Sequence, residues 1–324
     1  MKKNELISQL LRRREFHEKP PVLIDVGASG AIHGTWSDIA PYSICLAFDA
    51  DEREYPITEK EDSGYKKLFL FHKIVTADDI EDTDFYLTKS PYCSSLLQPD
   101  HTSLAFWNFQ PLFEIEKKCK LKCITLRKAL QESGLNYVDW FKTDSQGTDL
   151  RLFQSLGNEI IPLIKIAEFE PGFIDAYRQE DKFDALLKWI SGKSFFLDSL
   201  EVQHVHRTRA DIIKKFIPSG MSPDSYSFFA KKSPAWVNAL YLNTGLNYAE
   251  WDLRDSLLFL VACILREQFG MTYEFAVLMS QRYPEEQALN AIIEFAEKNI
   301  RLSFHRPFMR KVKDRLHRLI ENYL

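Results

Sequence analysis

The pattern of apolar and polar positions changes character along the chain. Residues 4–14 set Leu6, Ile7, Leu10 and Leu11 at helical spacing opposite basic positions, which predicts an amphipathic helix ended by Pro20 and Pro21. From residue 22 short apolar runs alternate with helix-period segments. Strands are predicted over 22–26, 43–48, 69–75, 85–88, 138–142 and 160–169, and helices over 126–133, 150–156 and 182–190. Such alternation predicts an α/β fold with a mostly parallel sheet and helices on both faces. Beyond about residue 235 only helix-period segments are expected, over 253–268, 273–282, 285–299 and 307–323. The expected organisation is a Rossmann-like domain over 1–234 and an all-α domain of unread role over 235–324.

The longest unbroken apolar run, 257–265, is far short of the ~20 residues that cross a bilayer, and reads as a buried helix. Of 324 residues 45% are hydrophobic and 27% charged, enough apolar material for a sizeable core. The 42 Lys and Arg against 46 Asp and Glu leave a net charge of −4, so no global positive field draws nucleic acid or anionic lipid. The charged start of the chain lacks a signal-peptide pattern, and five scattered cysteines form neither a disulfide framework nor a zinc spacing. A reducing cytoplasm is the expected setting. The basic amphipathic segment over 306–318 is expected to pack as a surface helix, and His204 and His206, beside Arg207 and Arg209, form a solvated basic edge.

The most informative chemistry follows the first predicted strand, at Asp25-Val26-Gly27-Ala28-Ser29-Gly30. Small residues after a buried strand let a ligand approach the backbone where a Cβ would collide. The dinucleotide fingerprint has its second glycine two residues after the first, but that position is Ser29, which argues against NAD. Asp25 suits a cationic group, such as the ammonium of S-adenosylmethionine. Asp49, at the end of the second strand, stands where a carboxylate accepts both ribose hydroxyls.

With Trp36 and the Ala47-Phe48-Asp49-Ala50-Asp51 stretch, the chain resembles the FkbM-type methyltransferases, a class I S-adenosylmethionine-dependent family. The resemblance continues through 86–96 and is most specific at 139–150, Asp-Trp-Phe-Lys-Thr-Asp-Ser-Gln-Gly-Thr-Asp-Leu. There Lys142, Asp144, Gln146 and Gly147 match the family's K-x-D-x-Q-G-x-E, while Asp149 replaces its Glu. Glu168-Phe169-Glu170-Pro171 is similar to the family's acidic fifth strand. The similarity spans about residues 20–230; Ala31 stands where a glycine is usual, and Asp49-Ala50 where Glu-Pro is. It implies a class I methyltransferase sheet with S-adenosylmethionine as cofactor. The expected cofactor set is Asp25, Gly27, Ala28, Ser29, Gly30, Asp49, Ala50 and Asp78. Tyr92, Ser94, Ser95 and Gln146 are expected to face the acceptor.

The implied reaction is O-methylation of a sugar, a glycan or another small biosynthetic intermediate. Asp144, just past the fourth strand, is the first candidate for base or acceptor anchor, with a helix cap near Thr148 or a loop brace as its alternative. Lys142 shares its strand face, and Glu168 and Glu170 share a face of the next strand, so these three complete the catalytic set. A magnesium ion held by the three carboxylates is an alternative; no metal is expected to be required. Two other readings remain: a non-catalytic scaffold that keeps the fold, with a homo-oligomeric or protein contact through the helical tail, and a nicotinamide-dependent oxidoreductase.

Overall fold

The computed structural model describes residues 2–28, 34–50, 64–218, 220–221, 230–304 and 315. Its strands are β1 (Val22–Val26), β2 (Ile44–Phe48), β3 (Lys67–Phe71), β4 (Ile74–Val75), β5 (Asp82–Thr88), β6 (Ile115–Ile124), β7 (Trp140–Thr143), β8 (Ile166–Phe169), β9 (Phe195–Val205) and β10 (Ser233–Asn243). Its α-helices are α1 (Lys3–Leu11), α2 (Arg14–Glu18), α3 (His101–Leu104), α4 (Leu126–Glu132), α5 (Asp149–Ser155), α6 (Phe183–Ile190), α7 (Ala210–Phe216), α8 (Leu253–Leu265), α9 (Phe269–Arg282) and α10 (Gln287–Phe304).

Every residue of β1 is buried, as a central strand covered on both faces requires. It pairs in parallel with β2 and with β7, and the main sheet runs β3-β2-β1-β7-β8-β10-β9. β10 is the reversed strand, antiparallel to both β8 and β9. Alternation along the strands makes two cores. Val22, Ile24, Val26, Leu46, Phe48 and Phe141 face α4, α5 and α6, whereas Leu23, Cys45, Ala47, Trp140 and Leu240 face α1, α8, α9 and α10. The result is an α/β fold of three layers, compatible with a Rossmann-like arrangement. Among the described residues no helix is long and apolar enough to cross a membrane.

The division expected at residue 235 falls inside β10, so the segment 235–324 supplies a strand of the main sheet before its helices begin. Those helices form one layer of the same fold. From Arg254 to Leu265 every residue of α8 is buried, because the helix lies between the sheet and its fellow helices. The Arg254 guanidinium pins the N-terminus of α8 to the start of β7, bonding both Asp139 carboxylate oxygens at 2.6 Å, while Asp139 accepts from the Val22 amide at 2.9 Å. The helix expected over 307–323 lies outside the described residues apart from residue 315.

Two predicted strands are shorter than expected. Within 160–169, Ile161–Leu163 is a 3-10 turn and β8 begins only at Ile166. Pro162 has no amide hydrogen to offer a central ladder. Within 69–75 the chain leaves the main sheet after Phe71, and Ile74–Val75 joins a second sheet of order β4-β6-β5. The segment between β5 and β6 carries its own small core of Cys93, Leu104, Trp107 and Phe113, closed by Tyr177 from beyond β8.

Candidate functional site

The parallel strands β1, β2 and β7 end on one side, where open α/β sheets take their ligands. A cleft there holds about 950 Å³ up to and including its open mouth. Gly27, Ala28, Asp49 and Ala50 form one wall, and Asp144, Ser145 and Gln146 another. Phe48, Ile74, Val75, Phe85 and Leu96 supply apolar surface, with Tyr92 and Ser94 toward the second sheet.

Gly27 makes this corner. Its φ of +77° is in the left-handed region, and a Cβ there would lie 2.3 Å from the Asp144 carbonyl oxygen. The amides of Gly27 and Ala28 both donate to the Phe48 carbonyl, at 3.0 and 3.1 Å, and the Asp144 amide donates to the Val26 carbonyl at 2.9 Å. Three strand ends are thereby fastened to one another, carrying Asp49 and Asp144 to the same cleft.

Beneath the cleft, Asp25 and Lys142 are a register pair across β1 and β7, and their side chains meet at 2.8 Å. Neither lines the cleft. Burial works against the Lys142 charge, but Asp25, Asp144 and Glu168 outweigh it and raise the ammonium above its ordinary value. One Asp25 oxygen is therefore engaged by a cation of the protein itself. Glu168 accepts from the Trp140 indole at 2.6 Å.

Glu170 does meet Asp144. The two carboxyls hydrogen-bond, and burial first, then the Asp144 charge, raises Glu170 well above the ordinary carboxylate range. Pushed up to about 9, the Glu170 carboxyl is protonated at neutral pH. Asp144 also accepts from the Gln146 amide at 2.6 Å. It is not the cap of α5: Thr148, at the cap position, makes no side-chain cap bond, and its amide donates to the Ser145 hydroxyl at 3.0 Å.

Gln146 adopts φ +55° and is engaged along its whole length. Its side-chain oxygen accepts from the Tyr177 hydroxyl at 2.8 Å, and its backbone carbonyl accepts from Ser95 at 2.8 Å. Ser95 is therefore a buried brace outside the cleft lining. Ser94 lines the cleft, and its hydroxyl accepts from the Thr88 amide at 3.2 Å. The Tyr92 ring is 66% exposed at the rim. Asp78 is exposed and outside the lining; its carbonyl accepts from the Thr76 hydroxyl at 2.9 Å. Ser29 and Gly30 lie outside the described residues.

No family model, curated protein or solved structure matches the chain.

Sequence reasoning singled out Asp149 only as a departure from a motif. It is 2% exposed and accepts four hydrogen bonds, and burial raises its carboxyl to about 6. Tyr177 was not singled out at all, since a tyrosine in a loop carries no spacing signal. Among the described residues no group of three His, Cys, Asp or Glu side chains is placed to hold a metal ion, and with Glu168 turned to Trp140 the three-carboxylate arrangement is not assembled.

Proposed function

We propose that the protein is an S-adenosylmethionine-dependent O-methyltransferase acting on a hydroxyl of a sugar, a glycan or another small biosynthetic intermediate. The observation that carries this reading is the convergence of Gly27, Asp49 and Asp144, from the ends of β1, β2 and β7, on one cleft. The Gly27 corner and the small Ala28 and Ala50 leave backbone open to a ligand, and Asp49 offers a carboxylate to paired ribose hydroxyls. Phe48, Ile74 and Val75 suit an adenine ring. On these residues the nucleoside part of S-adenosylmethionine fits the described wall. The reversed β10, slotted beside β8, also accords with the class I methyltransferase sheet that the sequence resembles, and departs from the dinucleotide-binding order.

When bound, the cofactor supplies an already activated methyl group, so the protein's task is chiefly to orient the acceptor. In this reading Asp144 takes the acceptor hydroxyl's proton as it is lost. Glu170, carrying a proton of its own, keeps the pair at one negative charge and holds Asp144 in place. Lys142 balances that charge from below, and the ring of Tyr92 offers a stacking surface at the rim. Within the tail α8 is packed inside the fold, so a partner contact in the scaffold alternative would fall to the other tail residues. A cytoplasmic setting accords with five free cysteines.

Titration calorimetry with S-adenosylhomocysteine and with NAD tests the reading. Saturable heat with the first and none with the second is expected. Binding of NAD alone, or of neither, contradicts it.

A further inference from the structure

Asp144, which lines the cleft, and Glu170, which does not, belong to separate loops, one after β7 and one after β8, and the buried Asp149 side chain bonds the backbone of both. The Asp149 Oδ1 atom accepts from the Ser145 amide at 3.0 Å, the Ser145 hydroxyl at 2.5 Å and the Thr143 hydroxyl at 3.1 Å. Its Oδ2 atom accepts from the Glu170 amide at 2.8 Å. Each carboxylate oxygen therefore holds one loop, and the residue so held is Asp144's neighbour on one side and Glu170 itself on the other.

We infer that Asp149 is a positioning residue of the site: by bridging the loops after β7 and β8 it holds the Asp144 and Glu170 carboxyls against each other. The inference deepens the methyl-transfer reading, and rests on it for its purpose but not for its geometry. Burying a carboxylate beside two others is costly unless it is hydrogen-bonded, and Asp149 accepts four hydrogen bonds, three on Oδ1 and one on Oδ2. The groups that bear on the Glu170 titration are Asp144 and Lys142 from the β7 side and Asp149 from α5, with Cys93 and Tyr177 beside Asp144 in the small core between β5 and β6. Of these, Tyr177, itself in the loop after β8, bonds the Gln146 side chain, whereas Asp149 bonds the backbone amides of both loops.

The test is an infrared pH titration of the full chain, following the carbonyl stretch of protonated carboxylic acid. The wild type should show a protonated carboxyl at pH 7, and Glu170→Gln should remove it. Asp149→Asn keeps one acceptor but turns an amide toward the Glu170 N–H, and should lose the band at pH 7. Asp149→Glu, which restores both acceptors, should recover it. Ser145→Ala substitutes no charged residue but removes one hydrogen bond to Asp149 and the acceptor of the Thr148 amide and hydroxyl, so it should loosen the bridge and lower the Glu170 midpoint. A wild type without the band overturns the inference, as does a folded Asp149→Asn that retains it. If Asp149→Asn fails to fold, Ser145→Ala decides: an unmoved midpoint overturns the inference. An unmoved Ser145→Ala midpoint beside a lost Asp149→Asn band assigns the effect to charge and likewise overturns it. Failure to bind S-adenosylhomocysteine, measured separately, sinks the methyl-transfer reading and leaves these outcomes intact.

Discussion

Asp25 and Lys142 face each other across β1 and β7 and form an ion pair of 2.8 Å, with the Asp25 side chain only 6% exposed. An isolated buried carboxylate at that depth has no water to solvate it. Lys142→Met should therefore destabilise the protein by about 3–5 kcal/mol in urea unfolding, and adding Asp25→Asn should recover much of the loss. A cost below about 1 kcal/mol, the range of exposed pairs, would show that the pair contributes nothing to the fold.

Glu170 predicts a slope in stability against pH. Its carboxyl is raised from an ordinary value of 4.5, so between that value and the raised one the folded state holds a proton that the unfolded state has released. Stability from this group is present in acid and is lost as the pH rises through the folded value. Asp149, raised to about 6, adds a slope of the same sign at lower pH. Between pH 6 and 8 the wild type should thus lose stability relative to Glu170→Gln, and at pH 8 the variant should be the more stable by at least about 1 kcal/mol. Parallel melting curves across that window would contradict the assignment.

The helices beyond β10 are a layer of this fold, and their removal should be fatal to it. A fragment ending at residue 252 exposes Leu23, Cys45, Trp140 and Leu240 and leaves Asp139 without Arg254. It should give no cooperative unfolding transition and no near-ultraviolet circular dichroism. A fragment that melts cooperatively would restore the two-domain organisation expected from sequence.

What could be read in advance follows from local physics. β1 was legible as Val-Leu-Ile-Asp-Val because a strand covered on both faces is apolar throughout, and Gly27 because small residues after such a strand make a tight corner. β6 was not: Glu-Lys-Lys-Cys-Lys-Leu-Lys carries charge at most positions because the strand lies exposed outside the main sheet. The Asp25–Lys142 contact was equally hidden, since residues 117 apart meet only through strand register. Glu168 and Glu170 were read as equivalent by alternation, yet Trp140 captures one and Asp144 the other. Side-chain partners across loops are set by packing, which no spacing rule encodes.

Asp144→Asn keeps the shape of the side chain and the oxygen that accepts from Gln146, while removing the charge. If Asp144 receives the acceptor proton, kcat should fall by roughly 10²–10⁴ with S-adenosylmethionine affinity nearly unchanged, because a base acts in the transition state. Steady-state rates with an accepted hydroxyl substrate measure it. Near-wild-type turnover would leave orientation of the acceptor as the whole of catalysis.

In the proposed reading the ends of β1, β2 and β7 hold a nucleoside cofactor, with Asp49 on its ribose. Calorimetric titration of S-adenosylhomocysteine into the wild type and into Asp49→Ala tests this most directly. Binding to the wild type is expected, with a loss of about 1.5–3 kcal/mol in the variant, the scale of hydrogen bonds to a charged group. Undiminished affinity in a folded Asp49→Ala protein would remove the cofactor from this wall of the cleft.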